Sequence, residues 1–338
     1  MEEYILNLLN ERSYKGIIER KILLMSDEED AITIIEDKLF KASKLAPNQI
    51  LNTLSEFYFK QQEYDLSFKT KKEWTNKGNK NFNDWLKFAN DLRNEKQYQY
   101  AMDAYYFVLS YKLNSKLTER ALLGLGQIFD DQIASQKTTN LIPYFYDNNI
   151  FFKDPFQVYS SISPKHLESS LNLYDSLLVS LKKPVYLSQA YYRLGDIHYR
   201  ILQDFDKAYY LLNKAISFRP NKKTKLKIIN RISDVLIAMG QTEKALSFLQ
   251  EQIRVESFDG INEKIVLISF LTEIPDSILH NIKLSFNNID PSNHSFNDLM
   301  ELKNLVFKYG NENSNYDSFK YFQKSELLIR QKKLGDAI

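Results

Sequence analysis

What most constrains this 338-residue chain is a recurrence of small residues at near-fixed distance inside apolar, helix-periodic sequence. Ser55 and Ala89 lie 34 residues apart, each beside large apolar side chains spaced as on one helix face. Leu54-Ser55 is followed by Tyr58, Tyr64, Ser67, Phe68 and Trp74. Trp85 and Phe88-Ala89 are followed by Leu92, Tyr98, Ala101, Tyr105 and Val108. The steps from Ala89 to Gly126 and from Gly195 to Ser233, 37 and 38 residues, imply longer turns. Each window reads as two amphipathic helices with a small residue where their backbones cross. Only 9 Gly and 8 Pro interrupt the chain, which fits a mostly helical protein.

The fullest window runs from Ala190 to Asn221. It carries Tyr191, Leu194-Gly195, His198, Ala208, Leu212, Ala215 and a closing Pro220. The next carries Ile229, Ile232-Ser233, Leu236, Ala245, Leu249 and Ile253. In this pattern the chain resembles the tetratricopeptide repeat family. His198 stands where that family usually has Tyr, and one residue is inserted in the turn. The resemblance implies an all-α fold: a right-handed superhelical solenoid of antiparallel helix pairs, here with one aromatic-rich loop insertion. A hairpin of this kind cannot bury its core alone, so stacked hairpins form one cooperative body.

The repeats are clearest at 48–75, 82–110, 119–182, 188–221 and 226–256, with an insertion at 134–163. Degenerate helical repeats are expected over 260–338, with helices near 261–272, 276–287 and 296–309. The stretch from residue 2 is already a hairpin, and the last residues read as a helix, a turn and a second helix cut short at Ala337. The expectation is a segment of a longer array. The abundance of Asn, Lys, Ile and Tyr fits an AT-rich genome, and the long turns resemble bacterial arrays of this family.

The insertion packs Tyr144, Phe145, Tyr146, Phe151, Phe152, Phe156 and Tyr159 into sixteen residues, against a chain average of 14% aromatic. Pro143, Pro155 and Asn148-Asn149 exclude one continuous helix, and regular structure is not expected. Two readings stand: the aromatics pack back on the repeats, or they meet a partner.

Catalytic signals are lacking. There is no Cys, so disulfides, thiolate metal sites and cysteine nucleophiles are excluded. His166, His198, His280 and His294 show no ligand spacing. Residues 124–129, GLGQIF, lack the third glycine and the preceding strand of a dinucleotide fingerprint. No catalytic residue, cofactor or metal is expected. The net charge of +2 gives no global field for nucleic acid, and the basic stretches Lys69–Lys80 and Arg219–Lys227 read as cations at the ends of second helices. No run of 18 apolar residues occurs and the N-terminus lacks a signal-peptide core, so a soluble protein is expected, cytoplasmic or periplasmic.

What remains is a protein or peptide partner. The resemblance implies a groove lined by first helices. Carried over, its positions are Asn83, Leu86, Asn90 and Arg93, then Arg120, Leu123, Gln127 and Asp130. Gln189, Tyr192, Asp196 and Tyr199 follow, then Lys227, Asn230, Asp234 and Ile237. Lys227 and Arg231 match the last pair of the family's carboxylate clamp, whereas Leu123, Gln127 and Arg193 do not match the rest. The expected role is a non-catalytic scaffold or adaptor. The alternative is a regulatory or substrate-recruiting segment of a larger enzyme; a third and weaker reading, nucleic-acid binding, rests only on the two basic stretches.

Overall fold

One turn recurs through the computed structural model. Gln62, Lys96, Gly240 and Lys332 adopt left-handed φ values of 64°, 61°, 75° and 63°. The amide after each reaches back five residues: Glu63 to the Tyr58 carbonyl (2.9 Å), Gln97 to Leu92 (2.8 Å), Gln241 to Leu236 (2.8 Å) and Lys333 to Leu328 (2.9 Å). This closure ends the first helix and aims the second back along it. It also sets a register, because the residue five positions after the left-handed one is Ser67, Ala101, Ala245 or Ala337.

A fifth turn carries the inserted residue. Gln203 is left-handed (φ 53°), but the amide of Asp204 reaches the His198 carbonyl (3.0 Å), one residue further than in the others. His198–Leu202 takes up the extra residue as a π-helical turn, the usual way to add one residue to a helix. Ala208 then falls five positions after Gln203, as in the others.

The structure describes residues 1–10, 15–133, 138–140, 149–152, 157–159, 161–256, 258, 260–311 and 316–338. They form two units, Met1–Ile128 and Phe129–Ile338. The first holds α1 (Glu2–Asn10), α2 (Lys15–Met25), α3 (Glu29–Leu45), α4 (Pro47–Lys60), α5 (Tyr64–Asn76), α6 (Phe82–Asn94), α7 (Tyr98–Leu109) and most of α8 (Ser115–Ile133). The second holds the end of α8, then α9 (Pro164–Ser180), α10 (Pro184–Ile197), α11 (Phe205–Ser217), α12 (Lys222–Ala238) and α13 (Thr242–Val255). It continues with α14 (Ile261–Thr272), α15 (Pro275–Phe286), α16 (Ser295–Tyr309), α17 (Tyr316–Arg330) and α18 (Leu334–Ala337). Within the units, helices pair as hairpins: α4 with α5, α6 with α7, α10 with α11, α12 with α13, α14 with α15.

The insertion departs from expectation. Thr138–Asn140 (β1) pairs antiparallel with Gln157–Tyr159 (β2), Thr139 opposite Val158. Threonine, valine and tyrosine favour the extended chain, and this outweighed the expectation of an irregular loop.

Small residues sit where helices cross. A Cβ on Gly195 of α10 would lie 2.9 Å from Leu212 Cγ and 3.4 Å from the Ala208 carbonyl of α11. Ser55 and Ser67 take the same roles in α4 and α5, and each hydroxyl donates to the other's carbonyl (2.9 and 2.7 Å). Trp85, fully buried, is ringed by Phe68, Phe88 and Phe107 and donates its indole N–H to Thr75 Oγ1 (2.8 Å). In the second unit one core runs from Ala208 through Ile232 and Phe270 to Phe319.

The tightest crossing yields a sign test. A Cβ on Gly124 would collide with the Tyr105 ring at Cζ, and that ring is pinned by its hydroxyl donating to Asn90 Oδ1 (2.9 Å). Gly to Ala within a helix ordinarily stabilises by about 1 kcal/mol. Here Gly124→Ala is expected to destabilise by about 1–3 kcal/mol through overpacking, read by urea unfolding.

Candidate partner-binding face

The polar positions of the first helices are tied across helix boundaries. In the first unit Arg120 of α8 donates to Asn83 of α6 (2.7 Å), and Arg93 of α6 donates to Gln127 of α8. Asn90 is held between the Leu86 carbonyl (2.6 Å) and Tyr105. Asn83 is exposed; Asn90, Arg93, Arg120 and Gln127 are half-buried.

In the second unit the ties become an ionic relay. Asp196 of α10, buried at 5% exposure, meets Arg231 Nε of α12 at 2.6 Å and Arg200 Nε at 2.7 Å. Arg231 also meets Asp234 (3.3 Å), and Asp234 meets Lys264 of α14. The Arg231 guanidinium lies 4.9 Å from the Tyr199 ring, a cation–π contact in a largely dry setting. Burial opposes the charge of Asp196, but Arg231, Arg200 and Arg193 outweigh it and hold the carboxyl below its usual range. Burial raises the Tyr199 phenol, and the adjacent Asp234 adds to it. Removing one member of such a cluster leaves a buried charge unpaired, which typically costs about 3–5 kcal/mol.

Arg231 is therefore committed to Asp196 and Asp234. Of the clamp pair, only Lys227 is exposed, and among the described residues it forms no ion pair. Burial, Arg193 and Lys223 lower its pKa. Gln189, Tyr192 and Asn230 are half-buried on the same helices. Leu86, Leu123 and Ile237, placed on the face by register, are core residues at 1–3% exposure. A first helix is flanked by its hairpin partner and by neighbouring hairpins, so little of it faces outward.

The basic stretches also sit differently than expected. Lys71 lies inside α5, not at its end, is 4% exposed, and rests 5.2 Å from the Phe88 ring. Burial lowers its pKa. Lys222, Lys223, Lys225 and Lys227 lie in the first turns of α12, where the helix dipole disfavours cations. Glu256 offsets this through Lys225 (2.9 Å) and Lys222 (4.0 Å). The Asn221 cap fixes this start by accepting from the Thr224 amide (2.9 Å).

Of the insert aromatics, Phe151 and Phe152 are buried at 2% and 3% in the second unit's core. Tyr159 lies in β2. Tyr144, Phe145, Tyr146 and Phe156 lie outside the described residues. Asp130, at the end of α8, accepts from Ser170 (2.6 Å) and Tyr174 (2.7 Å) of α9. Sequence reasoning missed Lys264, which follows Asp234 by 30 residues rather than a full period, and every residue that receives the insert.

Among the described residues no group of His, Asp and Glu is placed to hold a metal, and no helix is long and apolar enough to cross a membrane. A family profile described as the tetratricopeptide repeat matches residues 188–222. No curated protein matches the chain. One similar solved structure is the crystal structure of the APC/C hetero-tetramer Cut9–Hcn1. The aligned chain is 13% identical with a TM-score of 0.42, and the match covers 87% of this chain and 49% of that one. The present chain thus spans about half the length of the chain it matches.

The Asp130 contacts have a pH signature. Burial lifts its carboxyl to about 6, against the pull of Arg193, Ser170 and Tyr174. The unfolded value is about 3.9. The folded state therefore binds the proton more tightly, and this contribution to stability is present below about pH 4 and lost as pH rises to about 6. Urea unfolding from pH 4 to 7 is expected to show the native chain losing stability relative to Asp130→Asn across that window.

Proposed function

We propose that the chain is a tetratricopeptide-repeat scaffold that binds protein or peptide partners through the polar face of its first helices, a reading supported by the repeat profile matched at residues 188–222. The observation that supports this is the line of side chains tied from one first helix to the next: Asp196, Arg231, Asp234 and Lys264 across α10, α12 and α14. Such ties hold the face rigid, so a partner meets a preorganised surface and little ordering entropy is lost on binding. The groups left to make contact in the second unit are Gln189, Tyr192, Lys227 and Asn230. Amide, phenol and amine groups suit adaptable hydrogen bonding to a peptide. The face performs no chemistry in this reading; it holds a partner in place.

Affinity capture with the intact chain tests this. Lys227→Glu with Asn230→Ala is expected to lose partners that the native chain retains. Lys214→Glu, an exposed lysine on α11, is expected to keep them. Equal capture by all three proteins would contradict the reading.

A further inference from the structure

The insert tip, Asn149–Phe152, does more than fill space. It lies in a slot formed by α14, α16 and α17, on residues 118 to 179 positions further along the chain. The slot grips the backbone of the tip. Asp298 Oδ2 accepts from the Ile150 amide (3.3 Å), and Arg330 Nη2 donates to the Phe151 carbonyl (2.6 Å). Asn149 is read by its side chain: Nδ2 donates to the Asp298 carbonyl (3.0 Å) and to Glu301 Oε2 (2.9 Å). Phe152 sits edge-on to Phe270 at 5.7 Å and near Phe322 at 6.0 Å. Ile150 is left 37% exposed, so the slot makes little demand at that position.

Two further features fit recognition rather than plain packing. The tip forms its own turn: Asn149 accepts from the Phe151 amide through Oδ1 (3.0 Å) and from the Phe152 amide through its carbonyl (3.0 Å). A short peptide can adopt such a local turn by itself. The slot walls, in turn, are held by contacts that do not involve the tip. Gln323 Nε2 donates to the Phe270 carbonyl (2.5 Å) and the Glu273 carbonyl (3.1 Å). Phe319 and Phe322 pack on Phe270, and Glu326 lies 3.5 Å from Arg330. Backbone hydrogen bonds combined with side-chain pockets are how folded domains read peptides.

We propose that this slot is a peptide-recognition site held in cis by the insert tip, and that its exchangeable ligand is a partner segment of the form Asn-x-Phe-Phe. The proposal rests on the chain being a partner-binding scaffold. It uses none of Gln189, Tyr192, Lys227 and Asn230, so it and the first-helix reading fail separately. Because the tip is covalently attached, its effective concentration at the slot is of millimolar order, and a free peptide competes poorly until the tip is disabled.

The probe is a labelled synthetic peptide of residues 147–153, DNNIFFK. It is titrated into the native chain and into Phe151→Ser/Phe152→Ser. The tip variant is expected to bind it saturably, at least about tenfold tighter than the native chain. Replacing both phenylalanines of the peptide, or adding Asp298→Ala and Arg330→Ala to the tip variant, is expected to abolish binding. An alanine at the isoleucine of the peptide is expected to change little. No binding by a tip variant shown to be folded by circular dichroism would overturn the proposal, as would binding indifferent to the phenylalanines. Self-association of the native chain without peptide binding to the tip variant would overturn it too. If the tip variant does not fold, hydrogen exchange on the native chain decides. The Phe152 amide is expected to open more than tenfold more often than amides of Val266–Phe270, and equal protection overturns the proposal.

Discussion

The left-handed turn that closes each regular hairpin is the constraint on which the rest depends. Its backbone bond to the carbonyl five residues earlier fixes how far the first helix runs. It also fixes which residue of the second helix lands on the first, and that residue must be small because two backbones approach there. Ser67, Ala101, Ala208 and Ala245 occupy that place and are fully buried. Four of the five left-handed positions are not glycine but Gln62, Lys96, Gln203 and Lys332. Each bears a backbone cost of about 1 kcal/mol, which the hairpin contacts offset.

Once the hairpins are closed, the first helices of a unit lie side by side and their polar residues meet. Arg93 reaches Gln127 34 residues on, and Asp196 reaches Arg231 35 residues on. The period that stacks the cores therefore also builds the surface. A shift of one residue in a turn would separate these pairs, and the π-turn at His198–Leu202 shows how an inserted residue is absorbed before it can do so. The insertion between α8 and α9 uses a different means. Its tip is fixed by Asp298, Glu301 and Arg330, far along the chain, rather than by its neighbours in sequence.

The helices and their small crossing positions were legible because they arise from local periodicity. Gly195 and Ala208 could be placed from the sequence, and α14, α15 and α16 fall within a residue of the helices expected there. The turns themselves carried little signal, since glutamine and lysine hold most of the left-handed positions. Burial on the face was only half legible: register put Leu86 and Ile237 on it, although both are buried at 1% and 2% exposure. The docking of Asn149–Phe152 was not legible at all, because it depends on contacts about 150 residues apart with no periodic trace.

The recurring turn can be tested by two substitutions of opposite sign in one urea-unfolding assay. Lys96 is left-handed at φ 61° and Gly240 at φ 75°. Lys96→Gly relieves the left-handed cost and is expected to stabilise by about 0.5–1 kcal/mol, while Gly240→Ala imposes that cost and is expected to destabilise by a similar amount. Destabilisation by Lys96→Gly together with stabilisation by Gly240→Ala would contradict the account of the fold.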